Sequence, residues 1–272
     1  MSKQLIDRKF PWLASLWRFL RDSFRYATMR PEVTEFGFRM LGKDDLDTSR
    51  IQSSEHAAFK RLLSESDIFV DIGANVGLFT MLAAEKKVPV ISCEPHPQTF
   101  RLLCRNLHMN GFEDVEAHAC AIGDRTRICS LFGGGQGASL NEGWGGIHST
   151  YETVVPCITL EALIGNRFQD LQMLFKVDAE GAEFDILSQS PHLLNRKPKP
   201  IWIIENSISR NYGPKKNPNY KSLFDLFWRN GYEAYTVESD RPGPISKETR
   251  DSWFDAGYCP NGVNYIFRES KV

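Results

Sequence analysis

The first segment of this sequence that could support chemistry is a glycine-rich turn opened by a carboxylate. Asp71 begins the run Asp-Ile-Gly-Ala-Asn-Val-Gly at positions 71–77, which follows a short apolar stretch. Glycine permits a sharp turn and lets the backbone approach a ligand closely. In open α/β sheets, ligands bind beyond the carboxyl ends of the strands. Gly73, Asn75 and Gly77 are therefore expected to form a binding loop together with Asp71.

A second carboxylate indicates what this loop should bind. Glu94 ends the next apolar run, and an acid at that position accepts the hydroxyls of a ribose. A dinucleotide would bring its pyrophosphate to the start of the helix after the loop, where Asp71 would repel it. S-adenosylmethionine presents a sulfonium and an ammonium instead, so the two carboxylates favour it over NAD as the cofactor. Ala121 and Ile122 end a third apolar run and would form a wall for the adenine, although such residues also suit a simple core position.

A third segment concentrates charge where a buried strand should end. Lys176 and Asp178 alternate with apolar residues, so their side chains should point to the same side of a strand. Buried charges need partners, and mutual pairing beside a ligand is expected. Asp178 and Glu180 are predicted to align an acceptor hydroxyl or to take its proton, and with Lys176 they form the candidate catalytic set. Glu183 falls in the first turn of a predicted helix, where an acid also stabilises the helix N-terminus without any catalytic role.

Oxygen ligands for a divalent cation are available at the same predicted sheet edge. Glu205 and Asn206 follow another apolar strand, and with Asp178 they could hold a cation that lowers the pKa of a hydroxyl. Such residues are common at strand ends for other reasons, so no metal is assigned and this set is kept as an alternative. His148, in a loop, could supply a base or could simply be solvated.

Alternating strands and helices must position all of these residues. Apolar runs and helical periodicity predict strands at 68–72, 89–93, 115–122, 172–177 and 201–204, helices at 77–86, 98–109, 182–190 and 222–230, and final strands at 232–237 and 263–267. Strands that alternate with helices indicate an α/β fold with a doubly wound, Rossmann-like sheet. The last two strands could close its edge as an antiparallel pair.

Two segments lie outside this alternation. Strands predicted at 128–132 and 153–158 flank an insertion at 133–146 that contains seven glycines. This insertion is either a mobile lid over the site or the tip of a long hairpin. Residues 10–27 form a predicted amphipathic, arginine-containing helix, which would either pack across the domain or lie at a membrane interface.

Composition argues against several classes of function. Thirty-three basic and 34 acidic side chains leave a net charge of −1, so no global field draws the chain to nucleic acid. The six cysteines include no CxxC pair, which argues against structural zinc and is typical of thiols in a reducing compartment. No apolar run reaches the roughly 20 residues that span a bilayer. The expected location is the cytoplasm, with peripheral contact at the inner membrane surface through residues 10–27 as an alternative.

The motifs together resemble those of the FkbM-type methyltransferases, a branch of the class I S-adenosylmethionine-dependent enzymes. The segments that carry the resemblance, in that family's order, are the loop at 71–77, Glu94-Pro95, Ala-Ile-Gly-Asp at 121–124, and Lys-Val-Asp-Ala-Glu-Gly-Ala-Glu at 176–183. The resemblance covers about residues 66–267. It implies a seven-stranded mixed sheet and O-methylation of a hydroxyl on a sugar, glycolipid or polyketide-type product.

The domain organisation follows from the extent of this resemblance. Residues 66–272 are assigned to the methyltransferase domain, and residues 1–65 to an N-terminal helical extension. The extension and the insertion at 133–146 do not match the family, so they are expected to determine which acceptor is used. The expected partner is a small-molecule or carbohydrate acceptor.

Other functions remain as alternatives. Nucleic-acid methyltransferases that modify base amino groups typically carry an Asn/Asp-Pro-Pro-aromatic segment where this chain reads Asp-Ala-Glu-Gly at 178–181. A nicotinamide-dependent oxidoreductase is disfavoured by Asp71 and by the lack of a complete GxGxxG pattern. A binding module without activity is disfavoured by the polar groups at the strand ends.

Overall fold

The computed structural model describes residues 20, 24, 28–42, 53–134, 137–146, 152–212, 215–237 and 243–270. The strands are β1 (Glu32–Val33), β2 (Arg39–Met40), β3 (Ile68–Ile72), β4 (Val90–Cys93), β5 (Glu116–His118), β6 (Ala121–Ile122), β7 (Arg127–Phe132), β8 (Glu152–Ile158), β9 (Met173–Val177), β10 (Ile201–Glu205), β11 (Tyr232–Thr236) and β12 (Asn264–Glu269). The helices are α1 (Ser53–Ser64), α2 (Leu78–Glu85), α3 (Pro97–Met109), α4 (Leu160–Ile164), α5 (Glu183–Ser188), α6 (Pro191–Leu194), α7 (Tyr220–Arg229) and α8 (Lys247–Ala256), with a 3₁₀ turn at Trp144–Gly146.

The main sheet has seven strands in the order β11-β12-β10-β9-β3-β4-β5. The strands from β10 to β5 are parallel, whereas β12 runs antiparallel to both of its neighbours. The predicted mixed, seven-stranded α/β sheet is confirmed, and so is the antiparallel pairing of the last two strands. Register places Ile72 opposite both Cys93 and Val177, so β3, β4 and β9 end side by side. The residues that follow these strands therefore meet at one edge.

The segment predicted as a single strand at 115–122 is divided between two sheets. β5 ends at His118 in the main sheet, and β6 pairs in parallel with Cys157 and Ile158 of β8. β8 also pairs antiparallel with β7, which confirms the two strands predicted to flank the insertion. An apolar pattern records burial but not the partner strand, which is why the division could not be read from the sequence.

Short helices account for other differences from the predicted elements. The helix predicted at 182–190 stops at Ser188, and Pro191 starts the separate helix α6. Proline suits a first helical position but cannot continue a preceding helix. α4 and α8 were not predicted.

Both faces of the main sheet are covered by apolar side chains. On one face, Phe175 stacks on Trp202 with ring centroids 4.2 Å apart. On the other face, Phe59 of α1 meets the rings of Phe69 and Phe79 edge-on at 5.0 Å. The α1 helix therefore shares a core with β3 and α2. Burying each such side chain contributes about 1.5 to 3 kcal/mol relative to exposure.

Asn106 of α3 ties an N-terminal segment to the glycine-rich loop. Its side-chain amide donates to the carbonyl oxygens of Val76 at 2.8 Å and Leu41 at 3.1 Å, and its oxygen accepts the N–H of Leu41 at 2.8 Å. Asn110 repeats the pairing one turn later with the backbone of Arg39. A buried side-chain amide thus supplies hydrogen bonds that a neighbouring strand would otherwise provide.

The predicted helix at 10–27 lies outside the described residues, apart from Leu20 and Phe24. These two side chains are 57% and 72% exposed. No helix in the described ranges has the length and apolar character needed to cross a bilayer.

Replacing Asn106 with alanine should lower the free energy of unfolding by roughly 1 to 3 kcal/mol, because it leaves buried backbone groups without partners. Urea denaturation followed by circular dichroism measures this loss. Arg101→Ala, at an exposed position of the same helix, is the control and should change the stability by less than about 0.5 kcal/mol. Equal stability of the two variants would contradict the assigned role of Asn106.

Candidate active site

The glycine-rich loop turns sharply between the ends of two neighbouring strands. Gly73 has a φ of +79°, and its N–H and that of Ala74 donate to the carbonyl of Cys93 at 2.9 and 3.0 Å. A Cβ atom at Gly73 would overlap the carbonyl oxygen of Asp178. At Gly77, where φ is +95°, a Cβ would overlap the side chain of Leu103. Backbone leaves no space for a side chain at residue 73, and the positive φ at both positions favours glycine.

Glu94 stabilises this loop by accepting two backbone hydrogen bonds. One of its carboxylate oxygens accepts the backbone N–H of Asn75 at 3.0 Å, and the other accepts that of His96 at 2.8 Å. Burial raises the pKa of Glu94 to about 7, against the opposing effect of these two amides. Among the described residues, the buried side-chain oxygen of Asn75 has no hydrogen-bond partner. The loop therefore presents an unused acceptor, and each oxygen of Glu94 can accept a further hydrogen bond.

Asp71 lies inside the domain rather than at the loop surface. Its Oδ2 accepts the hydroxyl of Thr80 at 2.7 Å, while its Oδ1 has no hydrogen-bond partner among the described residues. Burial raises the pKa of Asp71, although the Lys176 ammonium acts in the opposite direction. The cation that Asp71 faces within the protein is therefore a lysine.

Lys176 forms the ion pair with Asp178 that their alternation predicts. Its Nζ lies 2.9 Å from Oδ2 of Asp178 and 5.0 Å from the centre of the Phe79 ring. Burial alone would lower the pKa of Lys176, but the carboxylates of Asp178 and Asp71 raise it overall. Lys176 is therefore a buried cation. The side chain of Asp178 is 29% exposed, so it also reaches the surface of the site.

Glu183 holds the turn between β9 and α5. Its Oε1 accepts the backbone N–H groups of Ala179 at 2.9 Å and Gly181 at 3.1 Å. Burial raises the pKa of Glu183 to about 7. This carboxylate acts on the loop that precedes its helix, which is a structural role.

Glu180 is held by residues from two other parts of the chain. It has a φ of +49°, an uncommon conformation for a residue with a side chain. Its Oε2 accepts the indole N–H of Trp144 at 2.6 Å and the amide of Asn211 at 3.4 Å. Burial, followed by the nearby Asp178 carboxylate, raises the pKa of Glu180 to about 6. A carboxylate with this pKa is mostly ionised at neutral pH and still basic enough to accept a proton.

The glycine-rich insertion lies directly against this segment. The Ser139 hydroxyl donates to the carbonyl of Glu180 at 2.7 Å, and the Asn141 side chain donates to that of Gly181 at 3.1 Å. A Cβ at Gly181 would overlap the ring of Trp144. The insertion is therefore next to the predicted catalytic residues, as a lid would be. Its movement stays a prediction.

The sequence reasoning missed Trp144, Asn211 and Tyr212. The rings of Trp144 and Tyr212 meet edge-on at 4.9 Å, and the N–H of Gly145 donates to the carbonyl of Asn211 at 3.1 Å. A large aromatic residue within a glycine-rich insertion was the signal that could have identified Trp144.

The alternative metal set is brought only partly together. Glu205 lies 3.6 Å from Arg210, and its pKa is raised by burial and then by Asp178 and Glu180. The side chain of Asn206 instead donates to the carbonyl of Tyr220 and accepts the amide of Asn217. No group of three or more His, Cys, Asp or Glu residues in the described ranges could hold a metal ion. His148 lies outside these ranges, so its role as a base stays a prediction.

Ala121 and Ile122 lie at the junction of the two sheets. Both are buried: Ile122 joins the main core, and Ala121 packs with Leu131, Val155 and Cys157. These contacts account for their apolar character. A further role as an adenine wall stays a prediction.

Comparison with known proteins gives one family match and several more distant similarities. The family model described as the Methyltransferase FkbM domain matches residues 71–234. Methyltransferase 1 of Beauveria bassiana is 36% identical over 62 residues, which cover 22% of this chain and 24% of that protein. The match thus spans about a quarter of the length of this relative.

Solved structures of methyltransferases show more distant similarity. The O-methyltransferase from Bacillus cereus, in complex with SAH, is 11% identical, with 97% of this chain and 94% of that chain covered and a TM-score of 0.45. A SAM-dependent methyltransferase from Agrobacterium tumefaciens is 10% identical, with 89% and 70% covered and a TM-score of 0.45.

Thr80→Val should lower the free energy of unfolding by roughly 1 to 3 kcal/mol, because the buried Asp71 carboxyl loses the hydroxyl that donates to it. Thr80→Ser is the matched control, since it keeps the hydroxyl and gives up a methyl group. Urea denaturation of both variants should find Thr80→Val the less stable. The reverse order would mean that packing volume, and not the hydrogen bond to Asp71, determines the effect.

Proposed function

The chain belongs to the FkbM methyltransferase family, and we propose that it transfers a methyl group from S-adenosylmethionine to a hydroxyl oxygen of a sugar, glycolipid or polyketide-like acceptor. The main observation in support is the meeting, at one sheet edge, of a loop braced by Glu94 and the carboxylates of Asp178 and Glu180. The loop suits a nucleoside-bearing donor, and the carboxylates suit a hydroxyl acceptor.

The donor side of this proposal rests on the fit of the glycine-rich loop. Gly73 and Gly77 have positive φ angles and pack against Asp178 and Leu103, which sets the path of the loop beside Glu94. Glu94 has unused lone pairs for ribose hydroxyls, and the partnerless oxygen of Asn75 offers a further acceptor. Bound S-adenosylmethionine supplies an electrophilic methyl group. Asp71, buried behind the loop, would contribute negative charge through its field and not through direct contact.

The acceptor side rests on two carboxylates with different partners. The Lys176 ammonium holds Asp178 in place at 2.9 Å. We therefore assign to Asp178 the role of aligning the acceptor hydroxyl. Burial raises the pKa of Glu180 to about 6, so we assign to Glu180 the role of accepting the hydroxyl proton. Alignment of oxygen, carbon and sulfur is the main requirement of methyl transfer, so positioning by Asp178 should matter at least as much as the base.

Several rivals are less well supported. A nucleic-acid substrate fits poorly with a net charge of −1 and with the acidic groups around Glu180. A nicotinamide dinucleotide would bring its pyrophosphate to the start of α2, close to the negative charge of Asp71. A metal-assisted reaction through Asp178 and Glu205 is a lesser proposal, because Asn206 is already engaged by Asn217. Membrane contact through residues 10–27 also remains a proposal, and it would matter only for a lipid-linked acceptor.

Glu94→Ala should weaken binding of S-adenosylhomocysteine roughly 10- to 100-fold, since a hydrogen bond to a charged group contributes about 1.5 to 3 kcal/mol. Isothermal titration calorimetry measures this, with a thermal melt to verify that the variant is folded. Glu85→Ala, at an exposed position of α2, should bind as the unaltered protein does. If a folded Glu94→Ala protein kept full affinity, the assigned donor site would be wrong.

Asp178→Asn and Glu180→Gln should each reduce turnover by at least tenfold while leaving donor affinity within about twofold, because both side chains are assigned to the acceptor. Incubation with labelled donor and fractionated cell extract identifies an acceptor, and initial rates on that acceptor then test the variants. Turnover of the unaltered protein should fall below about pH 6 as Glu180 becomes protonated. Normal rates in both variants would place the reaction elsewhere.

A further inference from the structure

Of the hydrogen bonds that the described residues make to the Glu180 side chain, the one from Trp144 is the shortest. Its indole N–H donates to Oε2 of Glu180 at 2.6 Å, and its ring covers Gly181, which has no Cβ to interfere. Tyr212 meets the same ring edge-on at 4.9 Å. Trp144 is half-buried, so its position is defined by packing as well as by the hydrogen bond.

We propose that Trp144 is a positioning residue that holds the Glu180 carboxylate ionised and aimed at the acceptor hydroxyl. The inference rests on the proposed function, because it assumes that Glu180 receives the hydroxyl proton. The glycine-rich insertion then takes a direct part in the reaction, because it supplies an N–H donor to the base.

The contacts around Glu180 hold its side chain against the insertion. The backbone at residue 180 is in the left-handed region, which places the side chain where it can meet the insertion. Ser139 and Asn141 fix the carbonyl groups of residues 180 and 181. These bonds join both sides of the contact, so Trp144 and Glu180 are held in register. An indole N–H is a donor only, so Trp144 stabilises the charged carboxylate more than the neutral carboxyl group.

The charges around Glu180 come from three parts of the chain. Those facing it are Asp178 and Lys176 from the end of β9, Glu205 and Arg210 from the end of β10 and the segment after it, and the Trp144 N–H from the insertion. The pKa of Glu205 is itself raised by Glu180, and the carboxylate of Asp178 disfavours a further negative charge at Glu180. Lys176 and Arg210 favour it, and Trp144 adds a donor in direct contact. Loss of that donor should therefore raise the pKa of Glu180.

The direct test is a titration of Glu180 by NMR in protein carrying ¹³C-labelled glutamate carboxyls. The signal that disappears in Glu180→Gln identifies the residue. In the unaltered protein this signal should titrate near pH 6, and in Trp144→Phe its midpoint should rise by about one pH unit, a tenfold change in the ionisation equilibrium. Tyr212→Phe keeps the ring that packs on Trp144 and should leave the midpoint unchanged. An unchanged midpoint in folded Trp144→Phe would overturn the inference.

A second measurement covers the case in which Trp144→Phe does not fold. In the unaltered protein, one indole ¹⁵N–¹H signal should shift with the same midpoint as Glu180, and this shift should vanish in Glu180→Gln. If no indole signal titrates with Glu180, the inference is overturned, and this result does not require a Trp144 variant.

Kinetics and donor binding separate this inference from the proposed function. Once an acceptor is known, the acid limb of kcat/KM in Trp144→Phe should move to higher pH with the midpoint of Glu180, while calorimetry finds donor affinity unchanged. A structural defect alone would lower the rate without moving the limb, and that outcome counts against Trp144 as a positioning residue. If the unaltered protein does not bind the donor, the proposed function is rejected. The NMR titration would still test whether Trp144 donates a hydrogen bond to Glu180.

Discussion

The close approach of Gly73 to the carbonyl of Asp178 is the constraint on which the candidate site depends. Parallel register sets Ile72 opposite Val177, and the N–H of Asp178 donates to the carbonyl of Ile72 at 3.0 Å. The segments that follow β3 and β9 therefore leave the sheet at the same level, and no side chain of residue 73 lies between them. The loop proposed to bind the donor and the segment proposed to bind the acceptor are adjacent for this reason.

A buried charge cluster lies behind that contact. Lys176 is almost fully buried, as is Asp71, and both depend on partners, since an uncompensated buried charge would be strongly destabilising. Asp178 connects the cluster to the surface because its side chain pairs with Lys176 and remains 29% exposed. Groups with perturbed pKa values concentrate at functional sites. Here burial is the main cause that raises the pKa values of Glu94, Glu180 and Asp71.

The insertion completes the site instead of extending away from it. The flanking strands β7 and β8 form an antiparallel pair, and residues 137–146 lie against Glu180 and Gly181. The Glu180 carboxylate and two backbone carbonyls accept hydrogen bonds from indole, hydroxyl and amide donors of the insertion. The glycine-rich insertion thus supplies specific hydrogen bonds to the segment that we propose binds the acceptor.

The sequence by itself determined the elements of the main sheet, the position of the glycine-rich loop and the pairing of Lys176 with Asp178. Periodicity, turn chemistry and the cost of buried charge act over a few residues, so they can be read directly from the chain. Tertiary structure alone decided that residues 115–122 divide between two sheets, that the Asn206 side chain serves an internal amide network, and that Glu180 meets Trp144. These outcomes depend on partners far apart in sequence, 36 residues apart for Glu180 and Trp144, and no local pattern specifies which distant surface will face a given side chain.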